Sequence, residues 1–367
     1  MTVKIKNKPV PLDADQEEML IAWAGKLETP YVQDEVFQHN FVVSLRKRWP
    51  DTFRDVELAD IDFSDLRKAA DEGKLSKMPE EKRKQVSAAR KKEREELKAN
   101  YGTAEVDGIQ VEVGAYLVEP PGIFMGRGAH PLRGTWKRRV TSNDVELNLD
   151  ADAPVPEPMD GGQWKRIVHE HDGLWIARWQ DELADKLKYV WLAETSHLRQ
   201  EREKMKFVKA AKLDTGVERV RKKIRDGMAS KEEKERQVAT VAYLIDRLAM
   251  RVGDEKDKDE ADTVGASTLR VEHVKIHPDR IDFDFLGKDS VRWEKSLAIS
   301  GPDRVLAKNL REFMADKKPG DQIFPEISLA QVNRFLSRIQ PGLSAKVFRT
   351  FHATTTVKEF LEKRAKL

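Results

Sequence analysis

The sequence contains no cysteine, so disulfides and thiolate metal sites are excluded. It has no apolar run near the roughly 20 residues that a membrane-spanning helix requires. Its start, Met1-Thr2-Val3-Lys4-Ile5-Lys6, continues into polar residues with Pro9 and Pro11 and lacks the apolar stretch of a signal peptide. A soluble intracellular protein is therefore expected. Aromatic residues are sparse at 7%, no internal repeat is evident, and no phosphate-cradling Gly-rich loop of the P-loop kind is present. Charge of one sign is also lacking in bulk: 36% of residues are charged, yet the net charge is only +3. Affinity for nucleic acid would then depend on where Lys and Arg are placed, because phosphates are neutralised by local contacts.

What remains is ample for folding. With 367 residues, 39% of them hydrophobic, the chain can form two or three domains with real cores. The region up to about residue 105 reads as helical. Asp15 and Glu18 suggest a capping box before Met19, Leu20, Trp23 and Leu27 at helical spacing. A second helix is predicted from Asp34, carrying Val36, Phe37, Phe41 and Leu45 before Pro50. Residues 80–99 form a charged helix in which Lys82, Arg83, Lys84, Arg90, Lys91 and Lys92 mix with Glu93, Glu95 and Glu96. A solvated face laced with i,i+4 ion pairs accounts for it; a basic prong near DNA is the functional alternative.

From about 106 to 195 the pattern becomes short strands, with Ile109, Val111 and Val113 alternating and similar runs around Val145, Ile167, Trp175 and Val190. Pro120-Pro121-Gly122, Gly126, Gly128, Pro131 and Gly134 break a loop-rich segment, and residues 153–162 read as a surface loop. Beyond 196 the chain is mostly helical. Ser230 and Glu233 suggest a capping box for a helix whose stripe is Val238, Val241, Ala242, Ile245, Leu248, Ala249 and Val252, with Gly253 as C-cap. Strands at 268–276 and 280–286, a Gly287-Lys288-Asp289 turn and a strand through Val291 and Trp293 follow. Three helices start near Pro302, Ser328 (boxed by Gln331) and Ser344.

Three cations stand out. Arg251 falls in the last turn of the striped helix, where complementing the helix dipole is a sufficient role for a lone arginine. Lys288 tips a hairpin, where a charged residue is unremarkable. Arg349 flanks the inward-packing Val347, Phe348 and Phe351, and surface exposure explains it equally well. None is specific by itself.

In combination they carry a resemblance. Leu248 to Gly253, Ala261 to Gly265, Leu269 to His273, Phe283 to Ser290 and Ala345 to Thr350 occur in the order and rough spacing of the core of type IB DNA topoisomerases. Upstream, Glu119 to Gly128 and Lys137-Arg138-Arg139 resemble the segment joining that family's two cap subdomains. The resemblance implies an α+β fold: a two-lobed DNA clamp. Its mixed α/β cap of two subdomains would span 1–195, and a mostly helical catalytic subdomain with a small antiparallel sheet 196–367. The lips would lie near His130 to Arg133 and near Asp257 to Glu260.

In that family a tyrosine attacks a DNA phosphorus, the 5′ oxygen leaves, and a 3′-phosphotyrosyl link forms. Arg251 and Arg349 match the arginines on the non-bridging oxygens, where planar forks suit the charged transition state. Lys288 matches the general acid for the leaving oxygen. No metal or other cofactor is implied. Arg127, His130, Lys137, Tyr189, Arg199, Lys206, Lys256, Asn333 and Lys346 match DNA-contact positions, most of them positioning the duplex through phosphates. For each of these alone, a salt-bridge or core role is about as plausible.

Two departures accompany the match. Asp254 replaces a common Asn, and a carboxylate there would repel phosphate. The family's later histidine and tyrosine segment has no counterpart up to Leu367; His352 lies too close behind Arg349 to serve, and Tyr31, Tyr101, Tyr116, Tyr189 and Tyr243 all precede Lys288. The expectation is a duplex-binding core, inactive alone, whose tyrosine comes from a missing C-terminal part or a separate small subunit, as in bipartite members of the family. It would be chromosome-associated, in an archaeal cytoplasm or a nucleus. A non-catalytic architectural duplex-binding protein is the alternative, and a tyrosine recombinase relative a weaker third.

Overall fold

The computed structural model describes residues 1–183, 185–253 and 262–364. The fold is α+β, with eleven α-helices and several small sheets, none of them closed, among the described residues. Two compact units divide the chain, Met1–Gln200 and Glu201–Leu367.

The first unit begins with the hairpin β1 (Thr2–Ile5) and β2 (Lys8–Pro11), followed by α1 (Ala14–Ala24), α2 (Glu35–Arg48), α3 (Pro50–Phe53) and α4 (Ser64–Glu72). The cap of α1 differs from expectation. Asp13, not Asp15, accepts from the Gln16 backbone amide at 2.8 Å, and the Asp13 amide donates to Gln16 Oε1 at 3.0 Å, so the box lies two residues earlier. Asp34 does cap α2, through the Phe37 amide at 3.0 Å. Trp23, Phe37 and Phe41 pack together, with Trp23 and Phe41 stacked at 4.4 Å; Val36, by contrast, is exposed.

Helix α5 (Glu80–Tyr101) has no buried residue and carries the Glu80–Lys84, Lys91–Glu95 and Lys92–Glu96 pairs expected of a solvated helix. The hairpins β3 (Thr103–Val106) with β4 (Ile109–Glu112) and β5 (Gly122–Ile123) with β6 (Trp136–Lys137) come next. Then β7 (Glu146–Asn148), β8 (Arg166–Val168), β9 (Trp175–Asp181) and β10 (Lys186–Trp191) form a sheet of order β10-β9-β7-β8. Val113, Val145, Leu147, Ala177, Trp179 and Val190 form its core, separate from the core under α1 and α2.

Helix α6 (His197–Asp214) contains the division between the units. The second unit continues with α7 (Val217–Met228) and α8 (Glu233–Leu248). Helix α8 is buried nearly all round from Val238 to Leu248, so it runs through the core instead of presenting one stripe to it. Its ends also differ from expectation. Glu232 is the N-cap, while Ser230 bonds the Glu232 amide and donates to Glu235. The helix stops at Leu248 because Ala249 turns left-handed (φ 52°), four residues before the expected Gly253.

The antiparallel sheet is β11 (Val274–Ile276), β12 (Arg280–Leu286) and β13 (Arg292–Ala298). The strand expected from 268 is shorter because residues 266–268 and 271–273 form 3-10 turns. Helices α9 (Asp303–Met314), α10 (Leu329–Ile339) and α11 (Ala345–Arg364) close the unit at the anticipated starts, α10 with the Ser328–Gln331 box. No helix among the described residues is long and apolar enough to cross a membrane.

Candidate nucleic-acid interface

In β12, Ile281, Phe283 and Phe285 alternate inward while Trp293 of β13 stacks on Phe285 at 4.9 Å, fixing which face of the hairpin is buried. Its tip is a three-residue loop closed by the Gly287 amide donating to the Val291 carbonyl at 2.8 Å. Asp289 (φ 66°) and Ser290 (φ 58°) both take the left-handed conformation, which Asp tolerates better than most residues. Lys288 is exposed at this tip, with no hydrogen bond or ion pair among the described residues.

Arg251 does not lie in a helix. It follows the left-handed Ala249 and the buried Met250, in a segment locked by its backbone. The Ala266 amide donates to the Arg251 carbonyl at 2.8 Å, and the Ser267 amide and hydroxyl both donate to the Val252 carbonyl. Two residues before Ala266, the Val264 amide donates to the Leu286 carbonyl at the top of β12. The segment 264–266 thus ties Arg251 and the Lys288 hairpin to amides that are at most about 7 Å apart.

Arg349 lies on α11, which is anchored by Ala345, Val347, Phe348 and Phe351 and begun by the Ala345 amide donating to Asn333 Oδ1 at 3.0 Å. Asn333 therefore supports the start of the helix that bears Arg349. Burial, and then the positive charge of Arg251, hold Arg349 below the ordinary guanidinium value. Neither arginine has a carboxylate partner among the described residues. Arg349 lies within reach of the charge of Arg251, and two guanidinium groups without a carboxylate partner could together bind an anion with several oxygens. Lys346, exposed one turn before Arg349 on the same helix face, adds to the positive field.

The remaining sequence-derived positions are more engaged. Lys206 is paired with Glu203 on α6, and Arg199 donates to the Leu192 carbonyl at 3.0 Å with Glu194 nearby. In the first unit, Lys137 meets Glu119 at 2.5 Å, and Tyr189 packs between Trp175 and Trp191. His130 accepts the Leu132 amide and meets Phe124 edge-on, while Arg133 grips Asp34 with two bonds. Arg127 is exposed. Lys256, Asp254 and the stretch Asp257 to Glu260 lie outside the described residues.

Sequence reasoning missed Asp246. It is buried between helices, takes the Arg221 fork at 2.8 and 3.2 Å, and accepts from His352 at 3.0 Å. Burial raises its carboxyl, and the bonds from His352 and Arg221 more than reverse that, so it is held below the ordinary carboxylate value. Periodicity gave no signal, since an acid inside an apolar run reads as a surface position. Tyr243 lies in the core, its hydroxyl donating to Asp303 at 2.7 Å.

With this geometry in hand, comparison with known proteins is informative. A family model of the eukaryotic DNA topoisomerase I DNA binding fragment matches residues 1–192, and one of the catalytic core matches 195–366. The chain belongs to the eukaryotic DNA topoisomerase I family. DNA topoisomerase 1 of Mycosarcoma maydis is 39% identical over 393 residues, covering 98% of this chain and 38% of that protein. The human mitochondrial DNA topoisomerase I is 38% identical, covering 97% of this chain and 60% of its own length. Human DNA topoisomerase 1 is 35% identical, covering 97% and 47%. The chain thus spans between about two fifths and three fifths of the length of these relatives. They come from eukaryotes, which lends the archaeal-cytoplasm expectation no support.

Proposed function

We propose that this chain is the duplex-binding and phosphate-activating core of a type IB topoisomerase. The carrying observation is the uncompensated Arg251–Arg349 pair. The exposed Arg251 and half-buried Arg349 have no acid paired with them among the described residues, so an anion can take that place. A backbone phosphodiester supplies that anion. As charge builds on its non-bridging oxygens during in-line attack, two rigid forks bind the transition state better than the ground state.

Lys288, on an exposed tip held by a regular ladder, would give its proton to the departing 5′ oxygen. The phosphorus–5′ oxygen bond breaks as a phosphorus–tyrosine oxygen bond forms, and reversal reseals the strand. Torsional strain in the DNA would drive rotation between the two steps, so the scheme uses neither nucleotide nor metal. Duplex DNA of a chromosome is the substrate this reading requires.

The attacking tyrosine would come from a C-terminal domain or small subunit. Tyr243 is the only tyrosine of the second unit, and its hydroxyl is buried, bonded to Asp303 and raised in pKa mainly by burial. The other four belong to the first unit, where the hydroxyls of Tyr101 and Tyr116 donate to backbone carbonyls.

The test is relaxation of a supercoiled plasmid by this chain mixed with a tyrosine-bearing C-terminal fragment of a relative. Relaxation that Lys288→Ala abolishes, with duplex binding nearly intact, is expected. Tight duplex binding with no relaxation by any such mixture would leave only an architectural DNA-binding protein.

A further inference from the structure

The function proposed above uses Arg251 and Arg349 but leaves unexplained what sets the position of one relative to the other. Helices α8 and α11 are joined by a polar connection. Asp246 lies in the last turn of α8, five residues before Arg251, and His352 lies three residues after Arg349 on α11, on the same face. His352 Nε2 donates to Asp246 Oδ1 at 3.0 Å, since a carboxylate can only accept. The other side of Asp246 takes both arms of Arg221 from α7, and Arg221 is itself steadied by Glu218 at 2.9 Å.

Asp246 is only 6% exposed, inside a helix otherwise buried among apolar side chains. A buried charge network is a poor source of net stability compared with well-packed apolar residues, but it fixes one register between elements. Here the register it fixes is that of α8 against α11, one turn from Arg349 and five residues before Arg251.

We propose that the Asp246–His352 bridge is a positioning device that fixes α11 against α8 and so sets Arg349 relative to Arg251, leaving the pair preorganised for a phosphate. His352 and Asp246 are positioning residues, and neither touches the anion. Preorganisation matters because donors fixed before binding need no reorganisation when charge develops. This rests on the function proposed above only in naming the arginine pair as the phosphate seat.

The experiment titrates the full chain with inorganic phosphate and follows the arginine side-chain Nε–Hε resonances by NMR, with thermal melting run on every variant. Saturable shifts that Arg251→Ala and Arg349→Ala both remove are expected for the native chain. His352→Ala should weaken binding at least 5-fold, and His352→Gln, whose amide can still donate to Asp246, should return it to within about 2-fold. A purely structural role would make affinity follow the melting temperature; rescue by Gln without recovery of the melt separates the two. Unchanged phosphate affinity in His352→Ala, no rescue by Gln, or no phosphate binding by the native chain overturns the inference. If the phosphate results hold and the mixed relaxation assay fails, the cleavage chemistry falls while the positioning role stands.

Discussion

Gly265 packs against Gly253 so tightly that a methyl group added at Gly265 would come within 2.3 Å of the Gly253 amide nitrogen. That contact brings the segment bonded to Arg251 and Leu286 into place. Gly265→Ala must push the two strands of backbone apart, and overpacking of this kind costs about 1–3 kcal/mol. Gly320→Ala, where nothing lies within 4 Å, should change stability by less than about 0.5 kcal/mol. Chemical denaturation of both variants checks the contrast, and equal stabilities would show that the backbone yields freely at Gly265.

Duplex affinity should fall steeply with salt, because each neutralised phosphate contributes about −0.9 to the slope of log K against log salt. Arg251→Ala and Arg349→Ala should each make that slope shallower by about 1. Lys84→Ala on the solvated α5 should leave it unchanged, since Lys84 already meets Glu80 in water. Fluorescence anisotropy of a labelled duplex across a salt series measures this.

Tyr243→Phe removes a buried donor and leaves Asp303 facing Arg247 alone, at 3.4 Å. The loss should be about 1–3 kcal/mol, the cost of an unsatisfied buried acceptor. Relaxation by the mixed system, assayed well below the melting temperature, should persist. Its disappearance in a folded variant would show that the activity needs the Tyr243 hydroxyl.

The first unit should lose stability in acid. Burial raises the Glu146 carboxyl, yet hydrogen bonds from Arg178 and Arg166 outweigh it and hold the group at about 2; Arg138 chiefly holds Asp144 at about 2 as well. Both folded values lie below those of the unfolded chain. Their contribution is therefore fully present above about pH 4.5 and is lost as pH falls toward about 2. Denaturation between pH 6 and pH 2.5 should show this slope, and Glu146→Gln should flatten it.

The sequence disclosed the helices with apolar spacing and the positions of α9 to α11, because periodicity reports which face is buried. It misplaced both ends of α8: the start because Ser230 bonds elsewhere, and the end because Ala249 adopts a conformation that its side chain does not advertise. The residues around Arg251 carried the family resemblance, but its non-helical setting was not legible in them, since that depends on amides 15 residues further along the chain. Asp246 and Asn333 were illegible in the same sense. The first reads as a surface acid, yet it is bonded to two other helices; for the second, the bond that starts α11 gave no signal in the sequence.

The seven rungs from Arg280–Ala298 to Leu286–Arg292 run without a register shift, so the hairpin acts as a ruler for Lys288. Each rung advances the tip by about 3.4 Å, and removing one would also turn Phe283 and Phe285 to the opposite face. The reach of the ammonium is therefore adjustable only in paired steps of about 7 Å. Paired deletions on both strands should shorten it without unfolding the sheet, making the position of the ammonium an experimental variable.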